Sequence, residues 1–212
     1  MRRARAAQVA MIVLLAGIGS GCGGARPVKY YVVDASPAAP VPEIPSASQS
    51  STVLLVARIT ASHLYRDDRL VYGSGPVELG TYEYDRWAAP PADMMQDVLI
   101  SALRATGQYR SVSKMGSTLR ADYIVRGNLY AFDEVDKPNL AARFSFRIEL
   151  FDPKGGATVW SESYAHEEPV NGKKVEDVVE ALDRNVRTGV TQLTAHLGQY
   201  LAAHPQSTAA AH

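Results

Sequence analysis

The chain of 212 residues contains one cysteine, Cys22. That excludes an internal disulfide and any metal site built from several thiolates. It also lacks an excess of charge of either sign, with 22 basic and 22 acidic residues, so no basic field points to nucleic acid. Long apolar runs are missing too: the longest, Val9 to Ile18, is too short to cross a bilayer. Catalytic signatures are equally scarce. The five histidines, His63, His166, His196, His204 and His212, are scattered and form no His-Glu-x-x-His pair. Gly73-Ser74-Gly75 lacks both the Lys-Ser/Thr ending of a phosphate loop and the frame of a nucleophile elbow, and a hairpin turn accounts for it. No catalytic constellation, cofactor or metal is expected, and no internal repeat is visible.

The N-terminus has the three parts of a secretory signal. Arg2, Arg3 and Arg5 precede the apolar stretch, and Gly19, Ser20 and Gly21 lead directly to Cys22. The layout resembles a bacterial lipobox, with Gly19 at the position where an aliphatic residue is usual. The alternative is ordinary cleavage near Ala25, which would leave Cys22 on the discarded piece. The lipobox is the better fit, since the single cysteine stands at the one suitable position. Its thiol would carry a diacylglyceryl group, and the new N-terminus a further acyl chain such as palmitate. Residues 1–21 are then a signal peptide and 22–29 a lipidated tether. Loss of the three arginines leaves 19 basic against 22 acidic residues, a mature charge of about −3. The mature chain suffices for one domain with its own core, expected over 30–204, followed by a disordered tail over 205–212.

Tyr30 to Val33 reads as a short strand. Residues 34–51 carry Pro37, Pro40, Pro42 and Pro45 amid Ala and Ser, a linker composition. Thr52 to Thr60 is a strand with an apolar first half, and Leu70–Tyr72 and Val77–Tyr84 flank Gly73-Ser74-Gly75-Pro76 as a hairpin. Pro90 and Pro91 open a helix whose stripe is Met94, Met95, Val98, Leu99, Ala102 and Leu103, with Gly107 placed to end it. Tyr109 to Val112 follows as a short strand. Asp122–Phe132, Ala142–Phe151 and Thr158–His166 alternate with a period of two and read as a meander. A long helix spans about Lys174 to Ala203, weakened by about 1 kcal/mol at each of Gly189 and Gly198. The expected fold is α+β: an antiparallel or mixed sheet of about five or six strands, with two amphipathic helices packed on one face.

Three features converge on one family: the signal ending at Cys22, the early Tyr30-Tyr31-x-Val33, and Tyr82-x-Tyr84-Asp85-Arg86-Trp87-Ala88-x-Pro90. Together they resemble the ABC-type transport auxiliary lipoproteins, the paraquat-inducible protein C-like family. Arg86-Trp87-Ala88-Ala89-Pro90 is the most specific part. Val33 stands where leucine is usual, and Pro91 where leucine is frequent. The resemblance implies a lipoprotein of the outer membrane, facing the periplasm, and Gly23 after the cysteine agrees with that sorting. It further implies an MCE-domain protein and an inner-membrane ABC permease with its ATPase as partners, in moving lipids or other hydrophobic molecules and preserving membrane integrity.

Under that resemblance the candidate partner-binding residues are Tyr30, Tyr31, Arg86 and Trp87, and the lipidation site is Cys22. Core packing is the better reading for Trp87, because the helix entry follows directly, and a structural role is the better one for Arg86. Asp67-Asp68 and Asp133-Glu134-x-Asp136 fit no calcium loop and read as solvated turn carboxylates. The expected function is a non-enzymatic transport accessory, working by contact, with a homo-oligomeric ring as one form of assembly. The alternative is a periplasmic lipoprotein that activates or scaffolds a cell-wall enzyme.

Overall fold

The computed structural model describes residues 26–34, 50–73 and 78–205. The signal, Cys22, nearly all of the proline-rich linker, the turn after Gly73 and the tail from residue 206 lie outside the described residues. Among the described residues there are nine strands and two α-helices. The strands are β1 (Lys29–Tyr31), β2 (Ser50–Val56), β3 (Thr60–Ala61), β4 (Arg69–Gly73), β5 (Leu79–Trp87), β6 (Tyr109–Lys114), β7 (Tyr123–Val135), β8 (Ala141–Asp152) and β9 (Ala157–Pro169). The helices are α1 (Pro91–Ala105) and α2 (Val175–Ala203), and His63–Tyr65 forms a single 3-10 turn. The class is α+β, as expected, but five or six strands is an undercount.

The sheet is mixed and branches. β7, β8 and β9 form an antiparallel meander in which β8 is paired along both edges. The other edge of β7 takes three parallel partners in succession: β2 at Leu54↔Tyr123, β3 at Thr60↔Asn128 and β4 at Val71↔Asp133. One branch continues from β2 to β6, parallel, and the other from β4 to β5, antiparallel, and then to β1, parallel. The apolar half of β2 follows from this: Val53 to Val56 lie buried between two neighbours, as parallel strands usually do.

Alternation places Phe144, Phe146, Ile148 and Leu150 on the helix-facing side of β8, all fully buried. On β7 the alternation runs from Tyr123 to Leu129 and then reverses. The register shifts between Leu129 and Ala131, so Leu129 opposes Phe146 while Phe132 opposes Phe144. A bulged residue flips every side chain beyond it to the other face. Tyr130 is the residue passed over, and it is exposed.

Both helices lay their stripes into one core cluster with these strands, through Met95, Leu99 and Leu103 of α1 and Leu182, Val186, Leu193 and Leu197 of α2. Pro91 occupies the first turn of α1, where its missing N–H has no helical partner, and Gly107 ends the helix at φ +63°. No described helix is long and apolar enough to cross a membrane.

Asn185, fully buried on α2, fastens the helix to the sheet. Its amide donates to the carbonyls of Ala142 (2.9 Å) and His166 (3.0 Å), and its oxygen accepts from Tyr164 (2.9 Å). Gly189, one turn on, does more than weaken the helix. A Cβ there would lie 2.5 Å from Cδ1 of Tyr164, whose ring Asn185 holds in place. Gly189→Ala therefore gains about 1 kcal/mol of helix propensity and loses about 1–3 kcal/mol to overpacking. We expect a net fall in the thermal midpoint of a few degrees, on a scale of roughly 2–4 °C per kcal/mol. A rise would show that the helix has room to shift.

Candidate functional site

The structure brings the two family-marking segments side by side. β1 lies at an edge of the sheet, paired in parallel with the end of β5, so that Lys29 opposes Asp85, Tyr30 opposes Arg86 and Tyr31 opposes Trp87. The pairing carries into the loop that opens α1, where Ala88 N–H donates to the Tyr31 carbonyl at 2.8 Å.

Beneath this corner, polar contacts hold β1 against α2. The Tyr31 hydroxyl donates to Asp85 (3.0 Å) and reaches Glu176 (3.2 Å), and Lys29 Nζ pairs with the same Glu176 carboxylate at 2.8 Å. Burial, reinforced by the Asp85 carboxylate, raises the Tyr31 phenol well above its ordinary value. The Lys29 hydrogen bond draws the Glu176 carboxyl down to about 2. A value lowered by folding means that the tie is intact above the ordinary carboxylate range and is lost as the pH falls toward that figure. Both groups are largely exposed, so the effect is local. Glu176→Gln should leave the global midpoint almost unchanged while amide exchange over Lys29–Tyr31 accelerates at neutral pH. Equal exchange in the two proteins would show that backbone pairing alone holds β1.

Arg86 and Trp87 share one clamp. The Arg86 guanidinium meets the Asp68 carboxylate at 2.7 Å, and the backbone N–H of Trp87 donates to the Asp68 carbonyl at 2.6 Å. Asp68 is thus a half-buried structural acid rather than a solvated turn carboxylate. Trp87 is 1% exposed and packs edge-on to Phe132 at 5.1 Å, in the core position the sequence favoured. Of the four candidates, Tyr30 stands at the surface, 64% exposed, Tyr31 and Arg86 are half-buried and engaged, and Trp87 supports them from below.

The acidic cluster Asp133-Glu134-x-Asp136 departs from the expectation of solvated turn carboxylates at its first two members. Asp133 and Glu134 belong to the strand, which runs on to Val135, and are buried because both of its faces are covered there, by Tyr65 and Arg143 on one and by Tyr82 on the other. They point to opposite faces. Asp133 accepts from the Tyr65 hydroxyl (3.0 Å) and from Arg143 through Nε (3.3 Å) and a terminal nitrogen (2.6 Å). Glu134 accepts from the Tyr82 hydroxyl at 2.7 Å, and burial pushes its carboxyl up. Together they brace the point where β4 joins β7, and so the branch that ends in β1. The missed signal was the cross-strand partner: Arg143 lies directly opposite Asp133.

The remaining polar groups are also structural in their contacts. His196 Nδ1 lies 2.6 Å from Glu162, tying α2 to β9. An open cleft of about 470 Å³ at the start of α1 is lined by Arg58, Arg66, Thr60 and Asp93 among others, and there Arg58 and Asp93 compensate each other at 3.5 Å. Among the described residues no group of three or more His, Cys, Asp or Glu could hold a metal ion.

The model of a family described as the ABC-type transport auxiliary lipoprotein component matches residues 31–194. The chain belongs to this family. Among solved structures it is similar to protein XCC0632 from Xanthomonas campestris, of family DUF330, at 21% identity and a TM-score of 0.71, over 85% of this chain and 99% of that one. It is also similar to an uncharacterised protein (13% identity, TM-score 0.62, 83% and 99% covered) and to the hypothetical protein CT253 from Chlamydia trachomatis (10%, 0.51, 73% and 100%). At these identities the likeness is one of fold. Among curated proteins, none matches the chain.

Proposed function

We propose that this auxiliary lipoprotein is anchored through a lipidated Cys22 and works by contact, without catalysis, in an ABC/MCE-type envelope transport system for lipids or other hydrophobic molecules. In this reading it faces the periplasm from the outer membrane and docks on an envelope-spanning MCE-domain protein. Through that protein it serves the inner-membrane permease and ATPase, and its copies close into a ring by head-to-tail contacts. The observation that carries the reading is the corner itself. The family-marking residues Tyr30, Tyr31, Arg86 and Trp87 converge on a sheet edge that takes no further strand among the described residues, braced from beneath and presenting a side chain outward. A free strand edge offers unpaired N–H and C=O groups to a neighbour.

The anchor is tested first. Each buried methylene contributes about 0.8 kcal/mol, so two or three acyl chains give near-permanent attachment. Cys22→Ala should move the chain from the membrane pellet to the soluble fraction, and the wild-type N-terminal peptide should carry the mass of the acyl groups. An unmodified wild-type terminus would defeat the reading. Crosslinking in intact cells, followed by purification, tests the partner. Recovery of a membrane-anchored chain with no MCE-domain protein would remove the transport assignment and leave the anchor standing.

A further inference from the structure

We infer that the exposed strip Val28, Tyr30 and Val32 rests on the surface of the bilayer that holds the lipid of Cys22. The inference depends on the anchor proposed above, and it assigns Tyr30 to lipid rather than to a protein partner. The three side chains alternate along β1 and its flanks and stand 41%, 64% and 61% exposed, while Tyr31 and Val33 between and beyond them turn inward. Among the described residues no strand pairs with the outer edge of β1, and this row of two valines and a tyrosine stands exposed along it.

The covalent spacing says what covers it. Arg26, where the described fold begins, is four residues after Cys22, and at no more than about 3.5 Å per residue it lies within roughly 14 Å of the acylated cysteine. A tether that short keeps the β1 corner against the headgroups. The turn between β8 and β9 sits at the far end of the sheet. Tyr30 pairs with Arg86 and Arg86 with Arg69, two residues before the Val71 that pairs with Asp133, so β1 lies level with about Ala131 on β7, whereas Phe151, next to that turn, pairs with Ile124. Seven residues of strand separate those levels, roughly 23 Å.

The chemistry suits an interface. A tyrosine ring with a polar tip favours the boundary between acyl chains and water, and flanking cations meet lipid phosphates. Exposed Arg26 lies over the Tyr84 ring at 5.5 Å and is the cation that flanks the strip, since Arg86 is already paired with Asp68. At the far end of the strip Val32 borders a shallow depression lined by Val179, Glu180, Asp183 and Arg184 of α2.

The full lipidated chain, reconstituted into phosphatidylethanolamine–phosphatidylglycerol vesicles, provides the test. With the Cys22 thiol consumed by the lipid, Tyr30→Cys, Val28→Cys and Lys154→Cys each present one free thiol for a fluorescent label. Nitroxide-bearing phospholipids should remove most of the fluorescence at positions 30 and 28 and little at 154. Equal, weak quenching at all three positions on a vesicle-bound chain would overturn the membrane contact and leave the anchor intact. Loss of the contact-dependent quenching at 30 and 28 when an MCE-domain protein is added would overturn it in favour of protein docking there. A chain that fails to float with the vesicles and labels at Cys22 as well would overturn both readings.

Discussion

Trp87→Ala should lower stability by about 4 kcal/mol, within the ~3–5 kcal/mol that follows removal of a buried aromatic from a core. For a domain of this size that is a drop of roughly 8–16 °C in the thermal midpoint, at about 2–4 °C per kcal/mol. The ring is 1% exposed and sits edge-on to Phe132, which itself packs edge-on to Phe144, so truncation opens a void bordered by rigid aromatics that cannot collapse into it. Trp87→Phe should cost about half as much, since the smaller ring keeps part of the packing. Because Trp87 opposes Tyr31 across β1 and β5, amide protection of β1 should fall along with the midpoint. A direct role in recognition predicts the reverse pattern, lost partner capture in a protein of unchanged midpoint, and that result would move Trp87 from the core to the interface.

Which elements could be read in advance follows from what periodicity encodes. The stripe Met94 to Leu103 and the one along α2 told which face is buried, and both helices lie where the stripes put them. The alternation of Phe144, Phe146 and Ile148 did the same for β8. Periodicity names faces and not neighbours, so the parallel pairings of β2 with β6 and β7 were invisible, and the two-residue β3 is too short to carry a pattern. The bulge at Tyr130 reverses a parity that periodicity assumes to persist, and charged residues at the end of an alternating run look like a turn, although β7 continues through Asp133 and Glu134 to Val135. Gly189 looked like a pure cost because its benefit lies in Tyr164, on another element. The candidate corner was legible as two motifs. That β1 sets Tyr30 beside Arg86, 56 residues away in sequence, is a property of the sheet alone.

The second large effect is expected at Asp133. Its side chain is fully buried and holds three donors, two from Arg143 and one from Tyr65, which is itself 3% exposed. Removing one partner of a buried pair leaves the other desolvated and uncompensated, typically at ~3–5 kcal/mol. The Arg143 side chain keeps 28% exposure, which reduces that penalty, so we expect Asp133→Ala to cost about 3 kcal/mol. Asp133→Asn should cost less, since it still offers an acceptor. The loss should be most visible at β4, whose Val71 pairs with Asp133, and at the β5–β1 branch beyond it, read as faster amide exchange there than in β8 and β9. Replacing all three members together, Tyr65→Phe, Asp133→Leu and Arg143→Met, should recover most of the stability, because apolar substitution of a whole buried polar cluster is often close to neutral. Should the single Asp133→Ala change cost no more than a surface substitution, about 0.5 kcal/mol, the cluster is ornamental to the fold. The branch that carries the contact corner would then be held by backbone pairing and by Glu134–Tyr82 alone.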